Sequence, residues 1–257
     1  MLALITGASS GIGAEFAKIL AHCGCSLILV ARRLDRLEEL AADILERYDV
    51  DISVIDCDLS DEKNCYRLYQ TVKDKNIDIL INNAGFGAYG EFTKTDLEKE
   101  TRMINLNCKT VHILTKLFLK DMVKKDSGYI LNVASSAGLI SGGPYMAAYY
   151  ATKAYVVSLT RAVNEELSER GSSVYLGALC PGPVDTEFND VAGVSFGLRG
   201  ISAKECAIDG VFGMFDERKT IIVPTLKMKL LTYFNKFLPQ KPLMKIIGKL
   251  QKTKGDL

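Results

Sequence analysis

Tyr149 and Lys153 stand four residues apart in Tyr149-Tyr150-Ala151-Thr152-Lys153. The apolar positions of this stretch continue with helical spacing through Leu159, Val163 and Leu167. Side chains at i and i+4 of a helix share a face. A phenol ordinarily titrates near 10, and a neighbouring ammonium favours the phenolate. Lowering that pKa by about 3 takes about 4 kcal/mol, the order that an ammonium and a second cation supply in a dry site. Such a tyrosine exchanges protons near neutral pH. Neither Tyr145 nor Tyr150 has a lysine four residues later. Thirteen residues before Tyr149 stands Ser136, in Asn132-Val133-Ala134-Ser135-Ser136-Ala137-Gly138, at the end of an expected strand. A hydroxyl there can donate to an oxygen on which charge develops. The two histidines, His22 and His112, have no nucleophile-and-base context, which argues against a Ser-His-Asp hydrolase.

A second constellation opens the chain. Thr6-Gly7-Ala8-Ser9-Ser10-Gly11-Ile12-Gly13 follows an apolar run and begins a helix. Gly7 makes the turn, Gly11 lets backbone amides approach a pyrophosphate, and Gly13 permits close helix packing. Ser9, Ser10 and Ile12 complete the loop, and the helix N-terminus supplies unpaired N–H groups and a positive dipole end. The spacing is Gly-x3-Gly-x-Gly rather than the usual Gly-x-Gly-x-x-Gly. At the end of the second run the sequence reads Val30-Ala31-Arg32-Arg33. A carboxylate there would hold a free ribose 2′-hydroxyl, whereas guanidinium groups pair with a 2′-phosphate. Arg32 and Arg33 therefore favour NADP(H) over NAD(H).

These residues need strands and helices to position them. Seven short apolar runs fit interior parallel strands: 2–6, 26–31, 52–56, 77–82, 129–134, 174–179 and 220–223. Amphipathic stretches lie between them; Leu34, Leu37, Leu40, Ala41 and Leu45 mark one apolar side. Alternating strand and helix predicts an α/β fold: one doubly wound, Rossmann-type, seven-stranded parallel sheet with helices on both faces. That domain is expected over residues 1–225, with an amphipathic helical tail over 226–257.

The ordered set of motifs resembles the short-chain dehydrogenase/reductase family, in its group of ordinary length. The matching residues are 6–13, Asp58-Leu59, Asn82-Asn83-Ala84-Gly85, Asn105, Ser136, Tyr149, Lys153 and Pro181-Gly182-Pro183-Val184-Asp185-Thr186. The resemblance implies that Tyr149 is the general acid/base. It implies that Lys153 lowers the pKa of Tyr149 and holds the nicotinamide ribose, and that Ser136 positions the substrate oxygen. Asn105 would support a water-linked proton relay to Lys153; Asn107 is a rival, and Asn105 is preferred because it precedes Leu106. Asp58 and Leu59 would meet the adenine. Asn83, Ala84 and Gly85 would line the cofactor cleft. Pro181, Gly182, Val184 and Thr186 would close it, with Val184 and Thr186 at the carboxamide. Residue by residue, plainer roles exist: Asp58 or Ser60 as a helix cap, Asn82 and Asn83 as turn formers, Thr186 as a cap. The expected activity is hydride transfer between NADP(H) and the carbonyl or secondary alcohol of a small, apolar molecule. A non-catalytic NADP(H)-sensing protein and an epimerase or lyase using the cofactor transiently are the alternatives.

The segment after Thr186 carries Gly193, Gly197 and Gly200 among Val194, Phe196 and Leu198, the pattern of an apolar lid over 187–200. Leu139, Ile140, Tyr145 and Met146 are expected to add apolar wall. The tail has two apolar stripes joined at Pro239: Leu230, Leu231, Phe234, Phe237 and Leu238, then Leu243, Ile246, Ile247 and Leu250. After Leu226 come eight lysines and one acid, so the tail is strongly basic on an acidic body. Packing on the domain or on a second subunit, and docking on an anionic membrane surface, are both open. A homodimer or homotetramer is the expected assembly.

Composition sets outer bounds. The 257 residues are 48% hydrophobic and 25% charged, which excludes a disordered or collagen-like chain. The net charge of +1 carries no global sign of nucleic-acid binding. Seven scattered cysteines fit no disulfide framework and suit a reducing cytoplasm. Cys23 and Cys25 lie beside His22, but no second cluster completes a metal site, and a helix-end role is expected. No apolar run reaches the length of a membrane span, and the opening residues do not read as a secretion signal.

Overall fold

The computed structural model describes residues 1–193 and 200–252. Six strands come first: β1 (Leu2–Thr6), β2 (Ser26–Ala31), β3 (Ile52–Asp56), β4 (Ile79–Asn82), β5 (Tyr129–Val133) and β6 (Tyr175–Leu179). Two short strands follow, β7 (Val184–Asp185) and β8 (Ile201–Ser202), and then β9 (Ile221–Ile222). The main sheet has seven strands in the order β3-β2-β1-β4-β5-β6-β9, and all of its pairs are parallel. This is the seven-stranded doubly wound sheet that the apolar runs predict. Its strand ends differ from the predicted ones by at most two residues. The small β7–β8 pair escapes sequence reading because two residues carry no periodicity.

The helices are α1 (Gly11–His22), α2 (Leu34–Leu45), α3 (Glu62–Val72), α4 (Leu97–Ile104), α5 (Val111–Lys125), α6 (Ala147–Glu169), α7 (Phe188–Ala192), α8 (Ala203–Phe215), α9 (Leu226–Phe234) and α10 (Gln240–Lys252). The pleat sends alternate side chains to opposite faces. Ala3 and Ile5 of β1 join Phe16 and Leu20 of α1, Leu37 of α2 and Met214 of α8. Leu4 points the other way, to Leu68 of α3 and Leu114 and Phe118 of α5. Burial of each large apolar side chain contributes roughly 1.5–3 kcal/mol. Leu34 and Leu45 do not join the core: both are exposed, and Ile44 takes the buried place on α2. The one-turn stripe assigned to them drifts off the buried face at each helix end.

Between α4 and α5 the helix widens into a π segment over Asn105–Thr110. Beneath it, Asn82, Thr115, Asn132 and Thr160 hydrogen-bond one another inside the sheet–helix interface. The chain leaves β1 toward β2 and β3, then crosses back to β4. At such a reversal the loops after adjacent strands part and leave a crevice at the strand C-termini. The tail helix α10 lies beside that crevice: Leu243 and Ile247 are buried with Met146 and Tyr149. The expected second stripe is therefore half used, since Ile246 and Leu250 stay exposed. All five residues of the first stripe are exposed.

Candidate active site

The crevice is a cleft of about 760 Å³. Every cofactor residue expected from the sequence lines it except Gly13. Gly13 sits behind the loop, where a Cβ would stand 2.3 Å from the Gly7 oxygen and 2.5 Å from Asn83 Nδ2. Its missing side chain lets α1 close on β1. Gly7 itself has φ +65, a left-handed turn that glycine adopts without strain. Asn83 locks that turn to β4: its Nδ2 donates to the oxygens of Thr6 at 3.0 Å and Gly7 at 3.1 Å. The Thr6 hydroxyl in turn accepts from the backbone of Asn83 and Ala84. Asn83 is thus a brace for the loop. Ser10 precedes α1 without capping it, so the helix N–H groups face the cleft. The Ser10 hydroxyl instead accepts from Arg33 Nη2 at 2.9 Å, and Ser9 accepts from the same guanidinium at 3.2 Å.

Arg33 also pairs with Glu187 at 2.9 Å, and Arg36 contacts the same carboxylate. The two guanidinium groups hold the Glu187 carboxyl below its usual range. Neighbouring Asp58 is shaped by burial, which works upward, but hydrogen bonds from Ser60 and the charges of Arg32 and Arg102 win and lower its pKa. Neither Asp58 nor Ser60 caps the following helix; Asp61 does, accepting from the Lys63 N–H.

At the inner end, Tyr149 and Lys153 are both buried on α6, with Lys153 Nζ 5.9 Å from the Tyr149 ring centroid. Two placements bear on the expected roles. Both Ser135 and Ser136 line the cleft, and it is the Ser135 hydroxyl whose hydrogen bonding favours the Tyr149 phenolate. Ser135 ends the extended chain with φ −173 and ψ 158, and Ser136 begins a 3-10 turn, giving its N–H to the Pro181 oxygen. Neighbouring residues at a strand end face different ways, so spacing alone does not choose between them. The second concerns the asparagine. Asn107 is 1% exposed and clamps Phe86, accepting from its N–H and donating to its oxygen, while Nδ2 also donates to Thr152. Over Gly85, a Cβ would meet Asn107 Oδ1 at 2.9 Å and Lys153 Nζ at 3.4 Å, so these two groups share one space. Asn105 is only half-buried, and neither asparagine lines the cleft itself. The signal was present in the periodicity: Met103, Asn107, Val111 and Leu114 recur on one buried face, which Asn105 leaves.

Within the chain, burial outweighs the one group that lowers the phenol. Burial pushes Tyr149 up to about 12, against the hydrogen bond from Ser135. Burial likewise pushes Lys153 down to about 8, and its Nζ donates to the Val133 oxygen at 2.9 Å. The expected lowering called for a second cation beside Lys153; among the chain's own groups burial dominates at both residues.

On the substrate side, Met146 lines the cleft, and Phe188 of α7 stands 5.5 Å from the Tyr149 ring. Leu139 and Ile140 pack in neighbouring apolar clusters, and Tyr145 stacks on Tyr89. Of the expected lid, 187–193 and Gly200 are described; Val194, Phe196, Gly197 and Leu198 lie outside the described residues. Ser135, Phe188 and Gln251 line the cleft without a role singled out for them in the sequence, the last brought there by α10. His22 and Cys23 are exposed at the end of α1 and Cys25 is buried; no group of three metal-ligating side chains occurs among the described residues.

A family model described as short chain dehydrogenase matches residues 1–193. A very-long-chain 3-oxoacyl-CoA reductase from Anas platyrhynchos is 33% identical over 76% of this chain, which spans 63% of that reductase's length. A short-chain dehydrogenase from Sphingobium yanoikuyae solved with NADPH is 32% identical, with a TM-score of 0.83 over 93% of this chain and 97% of that one. A short-chain dehydrogenase/reductase from Burkholderia phymatum solved with NAD is 25% identical, with a TM-score of 0.81 over 91% and 92% of the two chains. With the sheet order, the glycine loop and the tyrosine–lysine pair already in place, the chain belongs to the short-chain dehydrogenase/reductase family of oxidoreductases.

Proposed function

We propose that this chain is an NADP(H)-dependent oxidoreductase that interconverts the carbonyl and secondary alcohol of a small, apolar molecule. The carrying observation is a single cleft with Arg33 and the glycine loop at one end and Tyr149, Lys153 and Ser135 at the other. The residues fit the cofactor: glycines clear the backbone approach, helix N–H groups face the phosphate position, and a guanidinium stands over Ser9 and Ser10. When bound, the nicotinamide supplies the hydride and, in its oxidised form, a positive charge.

The chain's residues handle the proton. In reduction, the Tyr149 hydroxyl donates its proton to the substrate oxygen as the carbonyl becomes an alcohol. The Ser135 hydroxyl orients that oxygen and steadies the phenolate left behind. Lys153 holds the nicotinamide half and favours the phenolate, and Asn107 keeps Gly85 and Phe86 in register beside it. Met146 and Phe188 shed water from the reacting end. Reduction is the expected direction in a cytoplasm that keeps NADPH reduced.

Arg33 supports NADPH over NADH, because no carboxylate ends β2 and two serine hydroxyls already align the guanidinium. The test is NADPH consumption with a panel of apolar ketones. Arg33→Ala is expected to raise the NADPH Kd about 10–100-fold and the NADH Kd much less, as the loss of a charge-assisted pair requires. No turnover of any ketone with either nucleotide ends this reading. Seven free thiols support a reducing, cytoplasmic setting. Exposed Ile208 and Phe212 on α8 support a homodimer or homotetramer. The basic, apolar α9–α10 unit supports peripheral contact with an anionic membrane surface.

A further inference from the structure

Tyr150 has no part in the proton transfer, yet it is built into the cleft wall. Its ring lies edge-on to Tyr149 with centroids 6.4 Å apart. It rests on Gly143, where a Cβ would meet the ring at 2.3 Å. Its hydroxyl accepts a hydrogen bond from Gln251 Nε2 at 2.7 Å, across 101 residues of sequence. Gln251 is 2% exposed and lines the cleft. Its Oε1 is buried with no hydrogen-bond partner among the described residues.

The helix that carries Gln251 is firmly seated. Leu243 and Ile247 are buried with Met146 and Tyr149, Met244 packs on Gly142, and Gly248 packs on Pro144. An unpaired buried amide oxygen is costly, and an apolar side chain at an apolar wall would avoid the cost. The Tyr150 oxygen receives the Gln251 N–H, which leaves the Tyr150 O–H hydrogen to point elsewhere. The pair therefore offers one acceptor and one donor side by side.

We propose that Gln251 and Tyr150 form a polar subsite for a hydroxyl that the substrate carries at a distance from its carbonyl. A hydroxyl donates to Oε1 and accepts from Tyr150 at once. A carboxylate has no hydrogen to give Oε1, so the subsite refuses it. The inference rests on the oxidoreductase reading for the place of the reacting carbonyl, and it turns an apolar cleft into one selective for hydroxyketones.

The test measures binding by calorimetry to the full chain loaded with NADP+, alongside turnover with NADPH. The probes are hydroxyketones of graded spacing, each paired with the analogue carrying methyl in place of hydroxyl. The best-spaced hydroxyketone is expected to bind at least about tenfold more tightly than its methyl partner, the discrimination of a site built to hydrogen-bond. Gln251→Met is expected to abolish that preference. If Gln251→Met does not fold, Tyr150→Phe, which keeps the ring, must abolish it instead. Equal binding of every pair, or a preference that survives both substitutions, overturns the subsite; a water alone then satisfies Oε1. Turnover without hydroxyl preference leaves the oxidoreductase standing and removes the subsite. Binding that depends on hydroxyl and Gln251, with no turnover of any ketone, does the reverse.

Discussion

Tyr149 and Lys153 are buried side by side, and burial works against both charges. Burial therefore favours the neutral phenol at Tyr149 and the neutral amine at Lys153. Ser135 is the protein group that already favours the phenolate, so Ser135→Ala is expected to cut kcat about 10²-fold, with Ser136→Ala losing less than about tenfold. Steady-state rates on one ketone decide between the two serines. Lys153 also leaves a mark on stability. Its folded pKa of about 8 lies below the ordinary 10.5, so the unfolded chain binds the proton more tightly. Stability then rises with pH between those values by about 1.4 kcal/mol per pH step of one. Lys153→Met lacks this dependence. Its stability relative to the wild type is expected to be greatest near neutrality and to fall as pH climbs toward 10. Urea melts of the two proteins across that range read the difference, and parallel curves would refute the assignment.

Among the elements, the turn between β1 and α1 carries the tightest constraint. The Gly7 oxygen, Asn83 and the start of α1 meet where Gly13 has no side chain. Gly13→Ala would drive a Cβ into backbone, so helix and strand must separate. A loss of roughly 1–3 kcal/mol is expected from overpacking, together with loss of NADPH binding; thermal melts and NADPH fluorescence titration check both. The π segment is the other special element. It widens one turn between α4 and α5 so that Asn107 reaches both Phe86 and Thr152. Such bulges inside α-helices often accompany functional sites.

Across the whole molecule, the chain divides its charge. From Lys227 to Lys252 there are seven lysines and no acid. The same segment exposes Phe234 and Phe237, at 59% and 69%. A two-fold self-contact through this face would set lysines against lysines, so an anionic lipid surface is the better match in charge. The full chain is expected to sediment with phosphatidylserine vesicles and to release as salt rises. Replacing Phe234 and Phe237 with Ser is expected to weaken binding at least about tenfold through lost apolar burial. The substitutions lie outside the cleft, so ketone turnover should persist. Failure to sediment at low salt ends the membrane contact.

The sequence alone determined the sheet and the outline of the cleft. Apolar runs that are buried on both faces have one stable arrangement, and β1 through β6 followed from it with small end errors. The glycine loop, the arginines after β2 and the Tyr149–Lys153 pair were legible because each is local: its meaning is fixed within a strand, a turn or one helical turn. Tertiary structure decided the rest. Which serine hydroxyl faces Tyr149 depends on how the chain bends after β5, and which asparagine meets Gly85 depends on which face of a widened helix is buried. Gln251 reaches Tyr150 only because α10 folds back across the cleft. Burial, which no local pattern measures, set the sign of the pKa shifts at Tyr149 and Lys153. The physical reason is common to all four: side-chain direction and desolvation are properties of what packs around a residue, not of its neighbours in sequence.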